Sequence, residues 1–456
     1  MTYQGISSKW HCRLFYGYTR NRQRGDSSNA LSDYINDVDS WARKSKKRMR
    51  EHCNNLLHVL TNPSMLAAGL DGMKWRDWLS NTEIGNTNNE EDAKKSLITE
   101  DNKWNLLRFL GNAIKKRTFI TGDYHQIEIP KIGKLGTRKI EVPPFETRIV
   151  SRTILRILEP ILDPDFYQFS IGFRPKHSIN HGLAIASEMH KRGHTHWVNV
   201  DIRDAFGSVP LDRCFKVLKK RLFNSPIIPL VMRLNGKKRK FGLTQGVPTS
   251  PLLLNLYLDH FLDQWWIKKQ GGGPNFVRYA DDIAIFCKSR DEAISTYHTF
   301  SQRLKVIGFQ IKESESEGVK NLESGDTVDW LGFQAQNVSG ELKFHLGDSA
   351  WDKLEHRLVE SQSKKNEPYY TLDIDDIPIE IIKSWLRQKA PGIDQSRFGS
   401  VANRLNQLIE KYSLNVDEPL DLEFVKGSWE IGMKSNNRAF DTVQKWLGSW
   451  DTPIES

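Results

Sequence analysis

Cysteine is scarce in this chain: Cys12, Cys53, Cys214 and Cys287 are the only four in 456 residues, and none stands in C-x-x-C spacing. That excludes a disulfide framework and a zinc site of paired cysteines, and it points to a reducing compartment. Long apolar runs are also lacking. None reaches the roughly 20 residues that span a bilayer, and Met1 opens on a polar, basic stretch rather than a signal segment. A soluble cytoplasmic protein with no membrane partner is the expectation. No segment repeats at a fixed period. Among the 13 histidines His194 and His196 stand closest, at a strand start where packing outweighs metal binding. Excess negative charge is missing too. The 66 Lys+Arg exceed the 56 Asp+Glu, for a net charge of +10 and a pI near 9.2, which suits a polyanionic partner.

What is present centres on Tyr279-Ala280-Asp281-Asp282, two adjacent carboxylates between the β-forming runs 275–278 and 283–287. A strand, tight turn and strand would leave both acids at a hairpin tip. Crowded acids repel unless a cation sits between them, and oxygen ligands suit Mg²⁺. A bare Asp-Asp pair is more often a solvated turn, but three further elements agree with the metal reading. The run 196–202 alternates as a strand, with Val198, Val200 and Ile202 on one face and Asn199 and Asp201 on the other. Asp201 near its end can supply a third carboxylate, and Phe206 follows five residues on. Next, Gln245-Gly246-Val247-Pro248-Thr249-Ser250-Pro251 precedes an apolar run to Trp266. Ser250 and Pro251 read as N-cap and first helical residue of a helix whose start can face phosphate. Last, Trp330-Leu331-Gly332-Phe333 reads as a short aromatic turn.

Together these residues resemble the palm motifs of reverse transcriptases. Asp201 with Phe206 is similar to the first palm motif, 245–251 to the second, 279–282 to the metal-binding box and 330–333 to the primer grip. Residues 129–138 and 146–150 resemble the fingers motifs. Residues 170–178 resemble the segment that group II intron and related bacterial enzymes carry before the first palm motif. The resemblance covers about 120–335. It implies an α+β right-hand polymerase fold with fingers, palm and helical thumb, and a basic helical N-terminal extension. It also implies an RNA-directed DNA polymerase holding two Mg²⁺ through Asp201, Asp281 and Asp282, the catalytic acids. Lys131 and Arg138 would hold the incoming triphosphate and Gln245 would lie against its sugar. Phe206 would exclude a 2′-hydroxyl and so select deoxynucleotides. Lys237, Lys238, Arg239 and Lys240, with Trp330 and Gly332, are the expected nucleic-acid contacts. One departure stands out. Family members carry a lysine, thought to protonate pyrophosphate, where this chain has Glu315; either the nearby Lys312 substitutes or that general acid is weaker or absent.

The expected organisation is a basic extension and start of fingers over 1–120, fingers over 121–180, palm over 181–340 with a template-contact insertion near 224–242, and thumb over 341–456. Residues 43–50 are the densest basic cluster, either an RNA grip or a solvated helix face. Residues 81–102, rich in Asn, Glu and Asp, read as a loop. Pro210 starts an amphipathic helix striped by Leu211, Cys214, Phe215, Leu218 and Leu222. Beyond 341 Leu354, Leu358, Ile381, Ile382, Trp385, Leu386, Leu405, Leu408 and Ile409 keep helical spacing. That tail has no H-N-H pattern, metal-spaced His/Cys cluster or acidic constellation for RNA cleavage, so neither an intron endonuclease nor an RNase H domain is expected.

The absence of such accessory domains disfavours an intron maturase, and no Val-Thr-Gly of the retron enzymes occurs. The best-fitting subfamily is a stand-alone, defence-associated bacterial reverse transcriptase, with type 2 as the nearest group. Its partners would be an RNA template, a dedicated structured noncoding RNA, with dNTPs and the cDNA product, in antiphage defence. The rivals are a template-independent or protein-primed DNA polymerase, and a catalytically inactive RNA-binding scaffold.

Overall fold

The computed structural model describes residues 27–71, 73, 100–130, 136–236, 239–363, 377–416 and 419–451. Cys12, most of the expected loop 81–102, and the expected contacts Lys131, Lys237 and Lys238 lie outside these residues. The chain divides into two compact units. One comprises Met1–Ile129, Lys139–Phe166 and Phe206–His260; the other comprises Pro130–Arg138, Tyr167–Ala205 and Phe261–Ser456.

The first unit is mainly helical. Its central helix, Phe145–Leu162, buries Ile149, Val150, Ile154, Ile157 and Leu158, the stripe that a 3.6-residue period places on one side. Helix Pro63–Leu70 packs so close that a Cβ on Gly69 would lie 2.1 Å from Thr153 Oγ1. Helix Leu211–Arg221 buries Leu211, Cys214, Phe215 and Leu218, the stripe read from the sequence. The N-terminal part is helical over Ser27–Ser40 and Lys46–Leu60, the latter capped by Ser45, which accepts from the Arg48 N–H. Arg43 is not a free surface cation. Its guanidinium donates to the carbonyls of Pro160 and Ile161 and pairs with Asp39 and Asp165. It thus satisfies the C-terminal carbonyls of the central helix.

The expected hairpin about Gly136 is a two-stranded sheet of β1, His125–Pro130, and β2, Thr137–Val142. The second unit is built on a four-stranded antiparallel sheet. Its strands are β3, His196–Asp201; β4, Phe276–Tyr279; β5, Asp282–Cys287; and β6, Val319–Asn321, in the order β4-β5-β3-β6. Helices Ile179–Lys191 and Arg290–Val306 pack against it. Simple alternation fails at the start of β3. Trp197 shares the face of Asn199 and Asp201, yet it is fully buried against Phe286 and Trp330. A central strand is covered on both faces there, and the polar face opens only toward Asp201.

A second sheet runs β7, Val328–Trp330; β8, Phe333–Val338; and β9, Glu341–His345. Because β9 pairs with β8, strand structure continues past 340, and the helical region begins only at Asp348. Helices Asp348–Ser363, Ile377–Lys389, Phe398–Lys411 and Leu422–Asp451 follow. Their shared core contains Leu354, Leu358, Ile382, Trp385, Leu386 and Leu405, residues whose spacing predicted it. No helix among the described residues is long and apolar enough to cross a membrane.

Candidate active site

Strand register brings the acids together. Asp201, last in β3, pairs directly with Asp282, first in β5, and Tyr279 pairs with the same residue across the β4–β5 turn. Ala280 and Asp281 are therefore a two-residue hairpin loop. Ala280 takes φ +60°, the left-handed conformation that such turns demand and usually give to glycine. Two neighbours hold this loop. Arg278, fully buried, donates Nε and Nη2 to the two carboxylate oxygens of Asp263 at 3.0 and 2.6 Å. Its Nη1 donates to the Ala280 carbonyl at 3.0 Å. Segment 169–172 lines the outer edge of β4, where the Ile171 N–H donates to Arg278 O at 2.8 Å. Gly172 then meets the turn so closely that a Cβ would lie 2.2 Å from the Ala280 nitrogen.

The electrostatics are those of a site short of positive charge. Burial pushes the Asp282 carboxyl up to about 8, the charges of Asp201 and Asp281 add to the rise, and a hydrogen bond from the Leu331 backbone opposes it. Burial also raises Asp281, as does Asp201, while the guanidinium groups of Arg138 and Arg278 pull it down. Lys312 Nζ lies 3.0 Å from Asp201 Oδ2 and 3.3 Å from Glu313 Oε1. Burial lowers the ammonium's pKa, but the bond and charge of Asp201, with Glu313, outweigh it and leave it raised. Glu313 also accepts from the Asp201 N–H at 2.7 Å, and the Lys312 N–H donates to Asp201 O. Glu315 instead pairs with His298 at 2.8 Å. The ammonium beside Asp201 is thus that of Lys312.

Among the described residues no three His, Cys, Asp or Glu side chains already stand at metal-ligand spacing. The donor set nonetheless fits a hard divalent cation. The Asp281 and Asp282 carboxyls are both raised by burial and by the charge of Asp201, and all three acids offer only oxygen.

The other expected contacts fall as follows. Phe206 is half-buried in helix Ala205–Ser208, and its carbonyl accepts from Leu243 N–H at 2.8 Å. The Gln245 carbonyl accepts from the Glu141 N–H in β2 at 2.7 Å; Gly246, at φ +109°, lies where a Cβ would be 2.4 Å from Glu141 O. The helix expected to be capped by Ser250 is Ser250–Leu258, with Thr249 in the N-cap place. Ser250 is its first residue because its hydroxyl is committed elsewhere, 2.6 Å from Thr244 O and 2.9 Å from Asn235 Oδ1. Asn235 also bonds Thr249, so a buried polar network fixes this loop. Arg239 is exposed and paired with Glu141, and Lys240 is exposed. Trp330 is buried against Trp197 and Phe286, so its indole anchors the turn from beneath and does not offer a surface to nucleic acid. Leu331 and Gly332, at φ +53° and +78°, form the bend itself, with Leu331 buried and Gly332 half-buried.

Sequence reading missed Arg278, Asp263, Glu313 and Asn235. Arg278 directly precedes the tetrapeptide, which is the one available signal; Asp263 lies 15 residues from Arg278, Asn235 14 from Thr249 and Glu313 112 from Asp201.

Residues 129–335 match the family described as reverse transcriptase (RNA-dependent DNA polymerase). Protein YkfC of Escherichia coli is 30% identical over 154 residues, covering 31% of this chain and 40% of that protein. The group II intron-encoded protein LtrA of Lactococcus lactis is 23% identical over 215 residues, covering 45% and 33%. The retron Ec86 reverse transcriptase of Escherichia coli is 28% identical over 160 residues, covering 34% and 46%. The chain spans less than half the length of each of these relatives. Residues 129–335 are a reverse transcriptase domain, and the fold is the right-hand polymerase fold, of α+β class.

Proposed function

We propose that this chain, a bacterial reverse transcriptase by its domain, is an RNA-directed DNA polymerase that extends a primer with deoxynucleotides. The observation that carries the reading is the register pairing of Asp201 with Asp282, beside Asp281 in a two-residue loop. Asp201, Asp281 and Asp282 would hold two Mg²⁺, and bound divalent ions stabilise both the attacking and the leaving oxygen of nucleotidyl transfer. The chain's own groups do the rest. Arg138 would meet the triphosphate, for which its exposure and its pull on Asp281 speak. Lys131 is the second candidate there. Gln245 would lie against the sugar, and the half-buried ring of Phe206 would block a 2′-hydroxyl. Lys312, a cation beside Asp201, is the candidate to give a proton to the departing pyrophosphate.

The template we infer is a dedicated structured noncoding RNA copied into cDNA in bacterial antiphage defence, in the manner of the type 2 defence enzymes. Supporting this are the net charge of +10, the exposed bases Lys44, Lys46, Lys47, Arg239 and Lys240, and the likeness to a retron enzyme. Replacing both Asp281 and Asp282 by Ala is expected to abolish Mg²⁺-dependent extension of a DNA primer on RNA while RNA binding and folding persist. Extension at the native rate by that double variant would refute the reading; an equally inactive native protein that binds RNA would favour the scaffold. Sequencing the copurifying nucleic acid, as RNA and as DNA, identifies the template and separates templated from template-independent synthesis.

A further inference from the structure

Helix Leu422–Asp451 carries Trp429, Met433, Asn436 and Phe440 at i, i+4, i+7 and i+11, a spacing that puts them in one stripe. An all-apolar stripe would be ordinary core. This one contains a carboxamide and forms one wall of a cavity of about 550 Å³. Leu183 of helix Ile179–Lys191, Phe344 of β9 and Ile393, just after the turn Ala390–Gly392, line it from the other sides. No residue of the acidic hairpin or of its braces takes part. The volume falls in the range of small-molecule sites, roughly 300–1,000 Å³, which combine an aromatic and apolar lining with a few placed polar groups.

Asn436 is such a polar group. It is 6% exposed, and its Oδ1 bonds to no group among the described residues. A buried carbonyl in that position costs free energy until something donates to it. The aromatics of the lining are already fixed in place. Trp429 Nε1 donates to the carbonyls of Ala390 and Ile393, each at 3.0 Å, and its ring meets that of Phe398 edge to face at 5.4 Å. Phe344 meets Phe333 edge to face at 6.3 Å. Trp429 and Phe344 are both half-buried, so part of each stays accessible. The formal charges of the lining are Lys343 and Asp394, both exposed and opposite in sign. That balance favours an uncharged ring over an ionic head group.

We propose that this cavity binds an adenine base of a single-stranded RNA. A flat heterocycle stacks on aromatic side chains, and an unpaired strand can turn a base out to reach them. Asn436 Oδ1 accepts from the exocyclic amine, while its Nδ2 donates to N7, the paired contact that a carboxamide makes with adenine. Guanine presents two acceptors on that edge and uracil has no exocyclic amine, so neither repeats the pattern. The net charge of +10 draws a strand, with its many phosphates, more strongly than a single nucleotide. That the strand is RNA rests on the function proposed above; that the cavity takes a base does not.

The test measures equilibrium binding of a short oligoadenylate and a short oligouridylate by fluorescence anisotropy, with adenosine monophosphate as competitor. The native protein is expected to prefer oligoadenylate by about tenfold. Asn436→Leu should abolish that preference yet melt no lower than the native protein, because it removes a buried carbonyl that no protein group satisfies. Met433→Trp, which fills the cavity, should abolish it as well. Ultraviolet cross-links to oligoadenylate should map to Phe344 or Trp429. No preference in the native protein, or an undiminished preference in both variants, would overturn the proposal and leave the Asn436 carbonyl to water alone. Adenosine monophosphate competing as tightly as the strand would overturn the assignment to RNA. If Asn436→Leu fails to fold, Met433→Trp decides. The assay needs no synthesis, so a native protein that extends no primer but keeps the preference refutes the polymerase reading and supports the base site.

Discussion

Phe206 is half-buried, so one aspect of the residue is solvent-accessible, as that of a fully buried core residue would not be. If that aspect meets the sugar, Phe206→Val should raise the ratio of ribonucleotide to deoxynucleotide incorporation by an order of magnitude or more. An unchanged ratio in single-nucleotide competition would assign the selection elsewhere. The same residue scale separates what was legible from what was not. Asp201, Asp281 and Asp282 could be read because strand alternation and a two-residue turn fix where a carboxylate falls once the strands pair. The sequence leaves Lys312 open because a lysine's reach spans several register choices. Only the bond from Lys312 N–H to Asp201 O, which sets its segment beside β3, decides among them. The burial of Trp330 is illegible in the sequence for a different reason. An aromatic beside a glycine bend looks like a contact, and only three-dimensional packing against Trp197 and Phe286 reveals it as core.

At the scale of elements, the helix that follows the Gln-Gly turn was legible as one apolar run, but its interruption was not. A π-helical turn, Asp259–Asp263, joins Ser250–Leu258 to Gln264–Gln270, and Asp259 and Asp263 are both fully buried in it. Asp263 faces Arg278, and that pair braces the acidic hairpin through the Ala280 carbonyl. No short-range pattern announces such a partner. Arg278→Met leaves the Asp263 charge buried and unpaired, which costs about 3–5 kcal/mol. It should lower the melting temperature and also abolish activity, because Ala280 loses its brace. The double replacement Asp263→Leu with Arg278→Met should recover much of the stability and none of the activity. Recovery of extension in the double variant would mean that the pair supports the fold alone. Segment 170–178 gains its explanation here too: it covers the edge of β4 and presents the one residue type, glycine at 172, that the turn's approach allows.

For the whole molecule, the question is how the net charge of +10 is spent. The basic cluster 43–50 is not uniform. Arg43 is committed to the end of helix Phe145–Leu162, Arg48 lies over the Trp41 ring and Arg50 over Phe223. Lys44, Lys46 and Lys47 remain exposed. A single replacement of the whole cluster would confound RNA binding with loss of stability, so the informative variant is Lys44, Lys46 and Lys47 to Gln, with Arg43 kept. Each neutralised phosphate releases counterions, so the logarithm of affinity falls with the logarithm of salt by roughly 0.7 per contact on single strands. If all three lysines grip a dedicated RNA, the triple variant should flatten that slope by about 2. It should weaken binding at low salt more than at high salt and keep extension on a generic primer–template. Arg43→Gln alone should do the reverse, lowering the melting temperature because the helix carbonyls lose their donor, with the salt slope intact. An unaltered slope in the triple variant would make the three lysines an ordinary solvated face. The RNA would then be held by other cations, with Arg239 and Lys240 the next to replace.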